Sequence, residues 1–202
     1  KYTLTQRKKP KSMVYVKIKA ARIHQLISCG VKSMEFILRE AERLIQKHKT
    51  RNPFEIADCL NINVLCRPLG RLKGIYIYTR RSRYICINNE LDSPARRLVC
   101  AHEIGHDRFH RHLAIMNPQA QELISYDMSS KPEREANVFA AEFLLPDDEV
   151  IRLINDAEMN FFRAARELYV PPELMDFKFQ ILKSRGYRLE VPLNATGDFL
   201  KK

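Results

Sequence analysis

Two histidines four residues apart, with a glutamate beside the first, form the stretch Ala101-His-Glu-Ile-Gly-His-Asp107. On a helix, residues four apart are separated by about 40° around the axis, so His102 and His106 present their imidazoles on one face. Such a pair reaches a single Zn2+ ion and leaves room for a third ligand and a water molecule. Glu103 is offset toward the open side, where its carboxylate can take a proton from that water. A Lewis-acidic ion beside a carboxylate base is the equipment of metal-assisted peptide hydrolysis. Four of the chain's six histidines fall between positions 102 and 112, which argues against a chance pairing.

The third ligand is less direct to read. His112 lies six residues beyond His106, the metzincin spacing, but that geometry needs a glycine at 109 to turn the chain, and Phe109 stands there. His112 is therefore set aside. A carboxylate on a second helix, completing a His₂Glu set, is the better candidate. Ser130-Lys-Pro-Glu133-Arg-Glu-Ala-Asn137 supplies Glu133 in a first helical turn and Asn137 one turn later on the same face. Asn137 can orient a ligand histidine by a hydrogen bond. Two alternatives stay open. Glu135 is the other acidic choice, although it points away from Asn137, and Ser130-x-x-Glu133 also matches a capping box that would turn Glu133 to the backbone. His110, one turn past His106, either touches a ligand or closes the helix end. Tyr76, Tyr78 and Tyr84 could donate to a developing oxyanion, but on strands such tyrosines usually pack.

These residues need elements to hold them. Apolar positions Phe36, Ile37, Ala41, Leu44 and Ile45 recur at helical spacing over Met34–Lys49. A second helix opens at Asn52-Pro53 with Glu55 completing a box-like cap, and Asn61 offers a left-handed stop. Strands are expected over Ile62–Arg67, Gly74–Tyr78 and Arg83–Asn88, the last two joined as a hairpin through Arg80-Arg81-Ser82. A helix from Ser93-Pro94 should run through His106, a loop is marked by Asn117-Pro118, and a further helix from Ser130 should stop at Pro146. Shorter helices follow near Asp147–Asn155, Phe161–Leu168 and Pro172–Ser184. The pattern predicts an α+β fold with a small antiparallel three-stranded sheet packed on helices and a C-terminal helical appendage. The strand Tyr84–Asn88 is the expected edge for substrate backbone to add to.

Charge is unevenly spread. The net charge of +11 invites a nucleic-acid reading, yet residues 1–33 carry nine Lys or Arg and no acid, while the remainder holds 26 basic against 24 acidic residues. The globular part is nearly neutral, so direct nucleic-acid binding is not expected. Residues 1–33 are expected to be a peripheral basic segment, residues 34–150 the catalytic domain, 151–190 the appendage and 191–202 a tail. Cys29, Cys59, Cys66, Cys86 and Cys100 are scattered without a C-x-x-C pair. That excludes a disulfide framework and a thiolate zinc site, and it fits reduced thiols in the cytoplasm. No apolar run is long enough to span a bilayer.

His-Glu-Ile-Gly-His, followed by Glu-Arg-Glu-Ala-Asn-Val-Phe-Ala-Ala-Glu-Phe-Leu-Leu-Pro over 133–146, resembles the ImmA/IrrE metallopeptidases. The likeness extends upstream to about Met34. It implies a zincin-like peptidase domain with His102, His106 and Glu133 as zinc ligands and Glu103 as catalyst. It also implies a protein substrate of the helix-turn-helix repressor type, cut at a limited site. The competing class is a DNA-binding regulator, or a protein-interaction module, with a non-catalytic zinc site. A recognition helix in the C-terminal region would need polar, base-reading side chains, whereas Leu174, Met175, Phe177, Phe179, Ile181 and Leu182 read as packing.

Overall fold

The computed structural model describes residues 20–116, 130–156 and 159–189, with side chains from Met34 onward. The basic segment up to residue 19, the loop expected at Asn117-Pro118 and the tail from 191 lie outside the described residues. Contacts divide the chain into two compact units, Lys1–Ser33 and Met34–Lys202. The elements are α1 (Ala20–His48), α2 (Pro53–Cys59), β1 (Asn63–Arg67), β2 (Gly74–Thr79) and β3 (Ser82–Asn88), then α3 (Ser93–Phe109) and α4 (Arg111–Met116). They continue with α5 (Lys131–Leu144), α6 (Asp147–Ile154), α7 (Phe161–Glu167) and α8 (Pro172–Ser184). The fold is α+β, as the pattern predicts. Helix α1 starts well before Met34, since nothing but Gly30 interrupts the preceding residues.

Local chemistry accounts for most element ends. Asn52 accepts from the Phe54 amide and donates to Glu55, so α2 begins as its cap residues require. Its exit passes through Asn61 at φ +54°. Asp92 caps α3 by accepting from the Ala95 amide, with Pro94 in the first turn where its missing N–H is harmless.

The sheet departs from expectation in one pairing. β2 and β3 form the antiparallel hairpin, but β1 lies on the far side of β3 and runs parallel to it, giving the order β1-β3-β2. The connection 68–73 is the reason. It crosses the end of β3 rather than turning tightly, and Asn88 Nδ2 donates to the carbonyls of Gly70 and Leu72 to hold it there. β3 is therefore the central strand, with both edges paired. The edge strand beside α3 is β2, and Tyr84–Asn88 has no free edge to offer.

The core lies between the sheet and α3, and continues through α5 to α8. Ile85, Ile87, Ile104, Phe139 and Phe143 are fully enclosed, and the last two rings stack 5.7 Å apart. In α8, Leu174, Met175, Phe179, Ile181 and Leu182 are all buried. Its apolar face is thus used for packing and is not presented as a reading surface. No helix among the described residues is long and apolar enough to cross a membrane.

Candidate active site

Helices α3 and α5 pack closely because small residues meet at their crossing. A Cβ at Gly105 would lie 3.0 Å from the Cα of Ala136. This contact brings the face bearing His102 and His106 against the first turns of α5. Gly105→Ala is expected to push the helices apart and cost about 1–3 kcal/mol. Because the displacement separates the histidines from Glu133, metal content should fall with melting temperature; calorimetry and metal analysis of the same preparation check both.

The three sequence-selected side chains converge. His102 Nε2 lies 3.1 Å from Glu133 Oε2, His106 Nε2 lies 3.2 Å from Glu133 Oε1, and the two Nε2 atoms are 3.0 Å apart. Among the described residues this is the group of His, Cys, Asp or Glu ligand atoms close enough to hold one ion. Glu133 does not serve the helix cap: Ser130 makes no capping bond, and the carboxylate is 2% exposed, facing the histidines. Glu135, the other acidic choice, is turned to His110.

Hydrogen bonds fix which ring atoms face inward. Asn137 Oδ1 accepts from Nδ1–H of His102 at 2.9 Å, which leaves the Nε2 lone pair toward Glu133. On the other ring, Glu135 Oε2 accepts from His110 Nε2–H at 3.0 Å. The free Nδ1 of His110 then accepts from His106 Nδ1–H at 3.2 Å, and His106 Nε2 points its lone pair inward. Acceptors thus face acceptors at about hydrogen-bond distance, an arrangement that repels unless a cation lies among them. A tetrahedral zinc with bonds of about 2.1 Å spaces its ligand atoms by about 3.4 Å, so these side chains need move only a few tenths of an ångström. Electrostatics agree. Burial alone would raise the Glu133 carboxyl, but the contacts with His102 and His106 outweigh it and hold the group well below the usual carboxylate range. At His102 burial is outweighed by Glu133 and the ring is raised: without an ion, a proton takes the cation's place between them. Burial drives His106 down to about 4, keeping it neutral. An ionised carboxylate and neutral imidazole are the forms that ligate.

Glu103 stands beside this group in a different environment. Burial pushes its carboxyl up to about 7, partly opposed by His102 and by a hydrogen bond from the Tyr76 backbone N–H. It lines a cavity of about 30 Å³ with Leu72, Lys73, Gly74, Val99, His102 and Glu133, room for a water molecule. Gly74 is required there: a Cβ would fall 2.2 Å from Val99 Cγ1 and 3.2 Å from Glu103 Oε1.

Residues 57–180 match the family model described as the IrrE N-terminal-like domain, Peptidase_M78. The chain belongs to this peptidase family. It is 40% identical over 138 residues to "Uncharacterized immunity region protein 2" of Bacillus phage phi105, covering 68% of this chain and 85% of that protein. It is also 28% identical over 158 residues to "Metallopeptidase ImmA" of Bacillus subtilis (strain 168), covering 76% and 89% respectively. The chain is accordingly a metallopeptidase, and a peptidase acts on a protein or peptide substrate.

Two features of this IrrE-like peptidase escape a sequence reading. The first is the His110–Glu135 pair behind His106, which joins residues 25 apart on different helices. The second is Asp107, 1% exposed, which accepts from Tyr76 Oη–H at 2.8 Å and from Arg111 Nη2 at 3.0 Å, with Arg83 at 3.4 Å. Burial, then the Asp107 carboxylate, raise the Tyr76 phenol, so this tyrosine is a strut between β2 and α3 rather than an oxyanion donor. His112 is exposed on α4, away from the converging ligands.

Proposed function

We propose that the chain is a zinc-dependent endopeptidase in which His102, His106 and Glu133 hold the ion and Glu103 is the general base. The observation that carries this reading is the convergence of two imidazole lone pairs and a buried carboxylate within 3.0–3.2 Å, beside a second, separately held carboxylate. When bound, zinc supplies a Lewis acid that polarises a carbonyl and acidifies water. Glu103 accepts the proton of the attacking water and returns it to the leaving nitrogen as the peptide bond breaks. The Tyr76 backbone N–H orients that carboxylate, and the packing of Val99 on Gly74 keeps the pocket narrow. Asn137 and the His110–Glu135 pair hold the ligand rings in the tautomers they need.

The substrate we infer is a helix-turn-helix transcriptional repressor cut at a limited site, in the cytoplasm. Similarity to an immunity-region protein of a phage supports it, as does the family resemblance of the two motifs. We assign catalysis to residues 34–150 and take 1–33 as peripheral. Residues 151–190 act as a helical support behind α5, with 191–202 a tail.

Zinc per chain in purified protein tests the ligand set. About one ion is expected in the unaltered chain, lost in Glu133→Ala and retained in Glu135→Ala. Equal zinc in all three would remove Glu133 from the site. Mixing the zinc-loaded protein with candidate repressors, and sequencing any fragment, tests the substrate.

A further inference from the structure

One region of the molecule has a charge that the catalytic reading leaves unused. Between Asp58 and Glu90 the chain carries Arg67, Arg71, Lys73, Arg80, Arg81 and Arg83 and no acidic residue, while the rest of 34–202 holds 20 basic against 24 acidic residues. This stretch is the three-stranded sheet with its two connections. Arg83 is committed internally, donating to the Leu60 carbonyl and pairing with Asp107. Arg67, Arg71, Arg80 and Arg81 are exposed, and none forms an ion pair with an acid of the described residues.

The two tip arginines are held in an unusual way. Thr79 pairs with Ser82, so Arg80 and Arg81 are the whole of a two-residue hairpin loop. Both are left-handed, at φ +48° and +62°. A loop with both central residues left-handed ordinarily takes Asn-Gly, because side chains with a bulky Cβ are strained there. Strain kept at an exposed position where a cheaper residue is available points to a use for the side chains. The placement suggests which use. β2 is the edge strand, Gly74 at its start lines the pocket beside Glu103, and Lys73 lines the same pocket. From Gly74 to Arg80 is six residues of extended chain, about 20 Å.

We propose that this basic rim binds an acidic segment of the protein substrate, with Arg80 and Arg81 receiving carboxylates about six residues from the scissile bond. The inference rests on the peptidase reading above and names a feature its substrate must carry. Nucleic acid is the other polyanion of matching charge. It is disfavoured because the rim runs along the edge strand β2, whose unpaired backbone groups can add an extended peptide but not a nucleic-acid strand.

The test uses the full chain in a Glu103→Gln background, so that probes are not cut. Three fluorescein-labelled probes are compared by anisotropy at low and physiological salt: a neutral peptide ending in an Asp-rich block, its Lys-rich counterpart, and a DNA duplex. The Asp-rich peptide should bind best and weaken with salt. Arg80→Asn with Arg81→Gly installs the loop's ordinary residues. That variant should melt a few degrees higher while binding the Asp-rich peptide roughly five- to tenfold more weakly. Arg80→Lys with Arg81→Lys, which keeps the charge, should bind nearly as well as the parent.

Equal binding by the Asn-Gly variant and its parent, or tighter Arg-dependent binding of DNA than of the acidic peptide, would overturn the proposal. The two readings fail separately. Arg-dependent peptide binding without zinc or cleavage would remove the peptidase reading and leave the rim. Cleavage indifferent to both arginines would do the reverse.

Discussion

Glu103→Gln is expected to keep its zinc and lose about 10²–10⁴-fold in peptide hydrolysis, the usual worth of a positioned general base. Glutamine is nearly isosteric, so the tight approach to Gly74 and the bond from the Tyr76 amide can persist. What disappears is the ability to take a proton. The loss should therefore fall on kcat, with KM little changed, because the substituted group contacts the attacking water rather than the peptide's side chains. Glu133→Ala is the contrasting case, since its loss of activity should follow loss of the ion. The measurement is single-turnover cleavage of a protein or peptide that the parent cuts, with zinc counted in the same sample. Undiminished turnover in a zinc-replete Glu103→Gln protein would take the general-base role away from this residue.

How much of this site was legible depended on the range of the interactions involved. His102, His106, Glu133 and Asn137 could be selected because helical geometry relates residues three or four apart without any tertiary knowledge. The same holds for the Asn52 cap and the left-handed Asn61. The direction of β1 could not be read. A strand beside a hairpin can pair with either edge, and here the choice is fixed by Asn88 holding a loop 16–18 residues away in sequence. Glu135 and His110 were each visible as candidates, yet their pairing was not, because it needs the crossing of α3 on α5 that Gly105 permits. Lys178 illustrates the limit. In the sequence it is one more charged residue on an amphipathic helix, and in the fold it is completely buried.

Lys178→Met is expected to destabilise the protein by about 3 kcal/mol, the low end for a broken buried pair, because it leaves the buried Glu142 carboxylate with only the partly exposed Arg185 as its cation. Lys178 Nζ lies 2.8 Å from Glu142 Oε2 and 2.5 Å from Asp147 Oδ1, and Arg185 bridges the same two acids at 2.7 and 2.5 Å. Glu142 belongs to α5, the helix that carries Glu133 at its other end, so the cluster clamps α8 against the back of the catalytic helix. For a chain of this size the loss corresponds to roughly a 10 °C fall in melting temperature. The pH dependence has a definite sign. Burial alone would raise the Asp147 carboxyl, but Lys178 and Arg185 hold it below its ordinary 3.8. A carboxyl depressed in the folded state contributes stability above its unfolded pKa and loses it as pH falls through the folded value. The deficit of Lys178→Met relative to the parent should therefore be full at pH 7 and shrink below about pH 4. Urea denaturation at both pH values measures it. Adding Glu142→Gln to Lys178→Met should recover much of the stability at neutral pH, since the stranded charge is then removed with its partner. A deficit that persists unchanged in acid, or in the double variant, would mean that lost packing of the lysine stem, rather than stranded charge, sets the cost.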